Sequence, residues 1–102
     1  MKVVGITSCP SGVAHTYMAA ANLKKYAEKK GIEIKVETQG ASGIENEITA
    51  EDIARADGAI IASDVKIKNP GRLDAIPTLS VSVSEAVKDA KSVIEELMEA
   101  LE

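Results

Sequence analysis

Four short runs of strand-like patterning alternate along the chain with three stretches of helical period. Lys2–Ser8 is an apolar-leaning strand, and Val13–Lys30 carries a stripe through Val13, Tyr17, Ala20, Leu23 and Ala27 at helical spacing. Lys29 and Lys30 fall in its last turn, and Gly31 follows as a stop. Ile32–Thr38 sets Ile32, Ile34 and Val36 against Glu33, Lys35 and Glu37, the alternation of a strand with one wetter face. Gln39 to Asn46 reads as a polar loop. Thr49-Ala50-Glu51-Asp52 has the spacing of a capping box and opens a short helix ending near Ala56. Gly58–Ala62 is compact and apolar, suited to a strand buried on both faces. Ser63–Ile76, punctuated by Asn69-Pro70-Gly71, is the longest irregular stretch. Pro77–Val81 is the fourth strand. Ser82-Val83-Ser84-Glu85 then opens one final helix, with a stripe through Val87, Ala90, Val93 or Ile94, Leu97 or Met98, and Leu101.

Strands alternating with helices predict parallel pairing, right-handed crossovers and helices on both faces of the sheet. The expected fold is therefore α/β, a three-layer Rossmann-like or flavodoxin-like arrangement around a four-stranded parallel sheet. With 102 residues and no internal repeat, linker or low-complexity tract, residues 1–102 read as a single domain. In such sheets ligands bind beyond the carboxyl ends of the strands, where the strand order reverses. The first of those ends is followed at once by Cys9.

Composition narrows the chemistry. Hydrophobic residues make up 45% of the chain, which excludes a disordered reading, yet there are two Tyr, no Phe and no Trp. The core must come from aliphatic side chains, and aromatic platforms for bases or sugars are scarce. A net charge of −4 argues against a nucleic-acid partner, which needs a basic footprint. One Cys and one His are too few for a zinc site or an internal disulfide, and no metal or cofactor is called for. No run reaches the roughly 18 apolar residues of a membrane span, and the start has no signal-peptide pattern. The expected location is cytoplasmic.

The candidate chemistry lies in Cys9-Pro10-Ser11-Gly12-Val13-Ala14-His15-Thr16. A lone cysteine is most often a small buried hydrophobe. Here it stands between a strand and a helix N-terminus, whose N–H groups lack intrahelical partners and whose dipole favours negative charge. Pro10 fixes the chain behind it, and Gly12 permits the torsions of an anion-binding nest. Val13, Ala14 and His15 start the helix. This setting stabilises a thiolate and cradles a phosphate, so Cys9 is expected to titrate below the ~8.5 of a free thiol. His15 is either a helix-terminal histidine with no direct role or a partner of the phosphate.

The spacing Cys9, five residues, His15, Thr16 also resembles the Cys-x5-Arg-Ser/Thr loop of low-molecular-weight protein tyrosine phosphatases. Arg would supply a permanent charge and a planar fork for the phosphoryl oxygens. His supplies at most one ring donor, and its charge depends on pH. Without the Arg, a phosphocysteine can form while its hydrolysis is less well stabilised, which suits a carrier. A cysteine hydrolase of the phosphatase kind is the alternative.

From Cys9 to Ala20 the chain closely resembles the fructose-type IIB domain of the bacterial phosphoenolpyruvate-dependent sugar phosphotransferase system. Two further blocks carry the same resemblance, Val36-Glu37-Thr38-Gln39-Gly40-Ala41-Ser42-Gly43-Ile44-Glu45-Asn46-Glu47-Ile48-Thr49 and Ala56–Lys66. The resemblance implies a phosphocarrier. Cys9 would take a phosphoryl group from a phosphohistidine of the IIA domain or protein and pass it to a sugar held by the membrane component IIC. Pro10, Ser11, Gly12, Val13, Ala14, His15 and Thr16 would form the phosphate-holding loop, and contact with a membrane would run only through IIC. The family commonly has Thr where this loop has Ser11. Its usual Arg-Phe pair and Gly-Lys-Pro are replaced here by Arg72-Leu73 and Ala75-Ile76-Pro77, changes that bear on the partner surface rather than the chemistry.

Three other features complete the reading. Asp64, just beyond the third predicted strand, is read first as a helix cap or turn residue and second as a group orienting the Cys9 loop. Gln39 either touches a partner or closes a turn. Lys24, Lys25, Glu28, Lys29 and Lys30 form a solvated helix face.

Overall fold

A computed structural model describes residues 1–8, 13–40, 43–64, 67, 70–73 and 76–101, without the side chains of residues 13–15, 40, 70 and 72. Its elements are β1 (Lys2–Ser8), α1 (Val13–Lys29), β2 (Glu33–Gly40), β3 (Gly43–Glu45), α2 (Ala50–Arg55), β4 (Gly58–Ser63), β5 (Thr78–Val81), α3 (Val83–Lys88) and α4 (Ala90–Leu101). A 3-10 turn over Pro70–Leu73 interrupts the stretch expected to be irregular.

The sheet has the order β3-β2-β1-β4-β5, with β1 in the middle. β1 pairs in parallel with β2 on one side and β4 on the other, and β5 extends the parallel set. The order thus reverses at β1, the switch point beside which such folds place their ligands. Five strands replace the four expected, because part of the presumed Gln39–Asn46 loop is strand. β3 pairs antiparallel with the end of β2, Thr38 opposite Glu45 and Gly40 opposite Gly43. Gly43 has φ +105°, a conformation closed to most side chains. A three-residue edge strand is too short for its period to be visible in sequence.

Residues alternate between the two faces as the pleat requires. On one face Val3, Val36, Ile60 and Ala62 meet Leu23 and Ala27 of α1, Ala86 of α3, and Val93, Ile94 and Leu97 of α4. On the other, Val4, Ile6 and Ala59 meet Ile48 and Leu73, with Ile53 and Ala56 packed alongside. Helices therefore cover both faces, as the alternation implies.

Local chemistry accounts for the ends of the elements. At the close of α1, Gly31 has φ +72°, and its N–H donates to the Glu28 carbonyl at 3.0 Å, while the Ile32 N–H reaches the Ala27 carbonyl at 2.9 Å. That pair of bonds is the Schellman arrangement, with Ile32 and Ala27 both in the core beneath it. The capping box of α2 is present as expected: the Thr49 side chain accepts from the Asp52 N–H, and Asp52 accepts from the Thr49 N–H.

The final helix differs from expectation by being two. Asp89, at φ −145° and ψ 50°, closes α3 through a 2.8 Å bond from its N–H to the Glu85 carbonyl. Its own carbonyl accepts from the Val93 N–H and opens α4. Aspartate favours the helix start over the interior. The buried positions Val83, Ala86, Ala90, Val93 and Leu97 keep helical spacing straight through the break, so the stripe alone does not reveal it.

Candidate functional site

The carboxyl end of the central strands is where the fold buries polarity. Thr7, Ser8, Thr16, Glu37, Thr38 and Gln39 are the buried polar residues among those described, and they lie together at the ends of β1 and β2 and the start of α1. The sequence pattern assigned Glu37 to a wetter face. Glu33 and Lys35 obey that assignment, but Glu37 is fully buried.

Each of these groups has a structural reason to be there, with one exception. Glu37 accepts from the Ile48 N–H through Oε1 at 2.9 Å and from Gln39 Nε2 through Oε2 at 2.7 Å. The carboxylate thus ties the segment after β3 back under the sheet, and a buried charge held by such donors is tolerable where a bare one is not. Gln39, left open between partner contact and turn closure, belongs to this network. Thr7 Oγ1 donates to the Thr16 carbonyl at 3.0 Å, joining β1 to the first turn of α1, and Ser8 Oγ donates to the Gln39 carbonyl at 3.0 Å. The exception is Thr38, whose buried hydroxyl has no hydrogen-bond partner.

A second tie crosses the surface. The Tyr17 hydroxyl donates to Glu45 Oε1 at 2.7 Å, linking α1 to β3. Tyr17 was expected in the core stripe of α1; it is only half-buried, while Thr16, Ala19, Ala20 and Leu23 face inward. The Glu45 carboxylate holds the phenolic proton and raises the Tyr17 pKa above its ordinary value, helped by desolvation. The neighbouring Thr38 side chain acts in the opposite direction.

The predicted site residues fall on either side of a boundary. β1 ends at Ser8 and α1 begins at Val13, so the linking residues Cys9, Pro10, Ser11 and Gly12 join the switch-point strand to a helix N-terminus, but they lie outside the described residues. Val13, Ala14 and His15 are helical in backbone, with side chains likewise outside the description. Thr16 is fully buried and its carbonyl is engaged by Thr7. The first turn of α1 contains no acidic residue to oppose an anion.

Asp64 acts in the role given first place above: its Oδ1 accepts from the Val83 N–H at 3.3 Å, serving an unpaired donor of the first turn of α3. The lysines at the far end of α1 are exposed, and Lys25 and Lys29 lie over the Tyr26 ring at 5.7 and 5.0 Å. Among the described residues no three His, Cys, Asp or Glu side chains gather as a metal site, and no helix is long and apolar enough to cross a membrane.

A chiefly parallel α/β domain whose switch-point strand leads to a helix N-terminus defines a class, and known proteins define the member. The family model described as "PTS system, Lactose/Cellobiose specific IIB subunit" matches residues 4–96. The chain is 49% identical over 96 residues to the PTS system fructose-like EIIB component 2 of Escherichia coli K12, covering 94% of this chain and 91% of that one. A crystal structure of a domain from the fructose-specific IIABC component of Borrelia burgdorferi superimposes with a TM-score of 0.91 at 41% identity, covering 96% of this chain and 93% of the other. An arsenate reductase in a phosphate-binding state shares the fold alone, with a TM-score of 0.59 at 15% identity. The chain belongs to the PTS IIB family, as a fructose-type member, and is thereby a phosphotransferase component of a sugar phosphotransferase system.

Proposed function

We propose that Cys9 is the phosphoryl carrier of this IIB domain, which residues 1–102 constitute. The Cys9 thiolate attacks the phosphorus of a phosphohistidine on IIA. The S–P bond forms as the P–N bond breaks, and the imidazole keeps the electron pair. In the second transfer a hydroxyl of the sugar held by IIC attacks the same phosphorus. The P–S bond breaks, the thiolate leaves with its electrons, and the hydroxyl proton passes to a base. Pro10, Ser11, Gly12, Val13, Ala14, His15 and Thr16 hold the phosphoryl group between the two steps. The domain works in the cytoplasm, and IIC brings it to the membrane.

The observation that carries this reading is the junction itself. The fold reverses strand order at β1. The chain's sole cysteine follows β1 directly and precedes the N-terminus of a 17-residue helix without an acidic first turn. A helix N-terminus lowers a thiol pKa and favours phosphate, so the donor's phosphoryl group and the acceptor thiolate are stabilised in one place. The hydrolase alternative has less support. His15 stands where the phosphatase loop carries Arg, and the likeness to an arsenate reductase is one of fold.

The test is phosphorylation by a fructose-type IIA charged from phosphoenolpyruvate through the general phosphotransferase proteins, read by intact mass spectrometry. The expected result is one added phosphoryl group on the wild type and none on Cys9→Ser. An unmodified wild type, beside a control IIB that is labelled, would overturn the proposal. Turnover of p-nitrophenyl phosphate that Cys9→Ser abolishes would favour the hydrolase instead.

A further inference from the structure

The chain carries a net charge of −4, yet one cleft toward the far end of α1 gathers cations. In sequence the lysines of α1 read as a solvated helix face. The fold brings to them Lys88 and Lys91, from the break between α3 and α4. Asn22, Lys25 and Tyr26 line a cleft of about 200 Å³ together with Lys88, Asp89 and Lys91. Tyr26 and Lys91 also line an adjoining cleft of about 320 Å³, with Lys29 and Lys30. Lysines from three helices thus surround one half-buried phenol ring.

The carboxylates here are too few to neutralise these lysines. Lys30 and Lys91 share Glu95, at 4.0 and 3.9 Å, and Asp89 is the acid that lines the cleft. Lys25 and Lys29 lie instead over the Tyr26 ring, at 5.7 and 5.0 Å. Like charges gathered in this way repel one another, whereas a surface kept only for solubility intersperses its signs. The two walls are fastened together: Asn22 Nδ2 donates to the Val87 carbonyl at 2.8 Å, tying α1 to α3.

The chemistry of the walls selects the ligand. An excess of several positive charges matches a dianion, and a phosphomonoester carries about −1.5 to −2 at neutral pH. Lysine meets phosphate oxygens as a rotatable point charge, without the planar fork of arginine. A volume of about 320 Å³ is that of a small-molecule site. The ammonium groups of Lys25 and Lys29 occupy the Tyr26 ring face, which leaves a flat base nowhere to stack and favours a small hydroxylated body. We propose that this cleft binds a sugar phosphate, its phosphoryl oxygens held by Lys25, Lys88 and Lys91 and its sugar beside Tyr26. Lys25 lies roughly 18 Å along α1 from Val13. The site is therefore separate from the residues proposed for transfer, and the proposal does not depend on that reading.

The test is a titration of nitrogen-15-labelled protein with fructose 1-phosphate at about 0.15 M salt, followed by amide chemical shifts. Saturating shifts are expected at Asn22, Lys25, Tyr26 and Lys91, with a Kd of roughly 1 mM or below. The double variant Lys25→Gln, Lys91→Gln should weaken binding at least about tenfold, as the loss of charge-assisted hydrogen bonds requires. Lys24→Gln, on α1 but outside the cleft, should stay within about twofold of wild type. No saturation by roughly 10 mM would overturn the proposal. A loss in Lys24→Gln equal to that of the double variant would do the same, since it would show attraction by net charge alone. Equal affinity for inorganic phosphate would mean an anion-binding surface with no place for the sugar, and would reject the assignment. Shifts with poly-glutamate and none with the sugar phosphate would replace it with a docking face for an acidic protein.

Discussion

The two ends of the sheet are built on different principles. Toward the amino ends of the strands and beneath α1, α3 and α4, the interior is aliphatic: Val3, Leu23, Ala27, Ile60, Val93, Ile94 and Leu97 are all nearly or wholly buried. Toward the carboxyl ends of β1 and β2 the buried side chains are hydroxyls, an amide and a carboxylate. Burying apolar area is favourable outright, whereas burying polar groups is at best close to neutral and requires a partner for each. The first region therefore supplies stability. The second is retained for what it does, and it adjoins the residues proposed to hold the phosphoryl group. Stability and chemistry are separated along the strands, so substitutions in the two regions should have separable effects.

The largest effect should come from the aliphatic end. Leu23→Ala removes a fully buried side chain from the main cluster and should cost about 2–5 kcal/mol in denaturant unfolding. The molecules still folded should be phosphorylated at the wild-type rate; a matching loss of rate would break the separation.

Glu37→Leu comes next. It removes the carboxylate that accepts from the Ile48 N–H and from Gln39 Nε2, and should cost about 1–3 kcal/mol. The segment at Ile48 should lose its hold on the sheet, and hydrogen exchange at the Ile48 amide should rise well above that of Leu23. Unchanged exchange there would mean that the carboxylate is not the tie.

Smaller again is the cap of α2. Thr49→Ala should cost about 1 kcal/mol. Asp52, also at this cap, has its pKa held well below the usual carboxylate range, first by the Lys35 ammonium at 2.7 Å and then by the Thr49 backbone N–H. A depressed folded-state pKa means that this stabilisation is fully present above the ordinary value of ~3.9 and fades as pH falls through the lower folded value. Asp52→Asn should accordingly flatten the acid limb of the stability curve and lower stability at neutral pH. An acid limb identical to that of wild type would count against the pair.

The smallest change is expected from Tyr17→Phe, which removes one surface hydrogen bond and should cost no more than about 0.5–1.5 kcal/mol. Its partner is read spectroscopically. In wild type the Tyr17 phenol should ionise above its ordinary value, and Glu45→Gln should bring the midpoint down. An unmoved midpoint would show that the α1–β3 tie does not form in solution.

What was legible in the sequence follows the same division. The aliphatic periods of β1, α1 and β4 mark their elements closely, because each must present a stripe or an alternation to one core. Gly31 and Thr49–Asp52 signal their helix ends through conformations and hydrogen bonds that few other residues supply. The polar end was legible only in part. Glu37 looks like a solvated strand residue, because alternation registers its charge but not the donors that arrive from Ile48 and Gln39. β3 is invisible for want of length, and Asp89 breaks a helix through which the apolar stripe runs uninterrupted. Cys9 stood out by its neighbours and Thr38 did not, since an unpaired hydroxyl is a property of the packing around it.

The most direct test of the central claim locates the phosphoryl group within the charged protein. After transfer from phosphorylated IIA, the peptide containing both Cys9 and His15, the chain's sole histidine, is isolated and fragmented by mass spectrometry. The account predicts the phosphoryl group on Cys9. Its appearance on His15, with Cys9 unmodified, would contradict it.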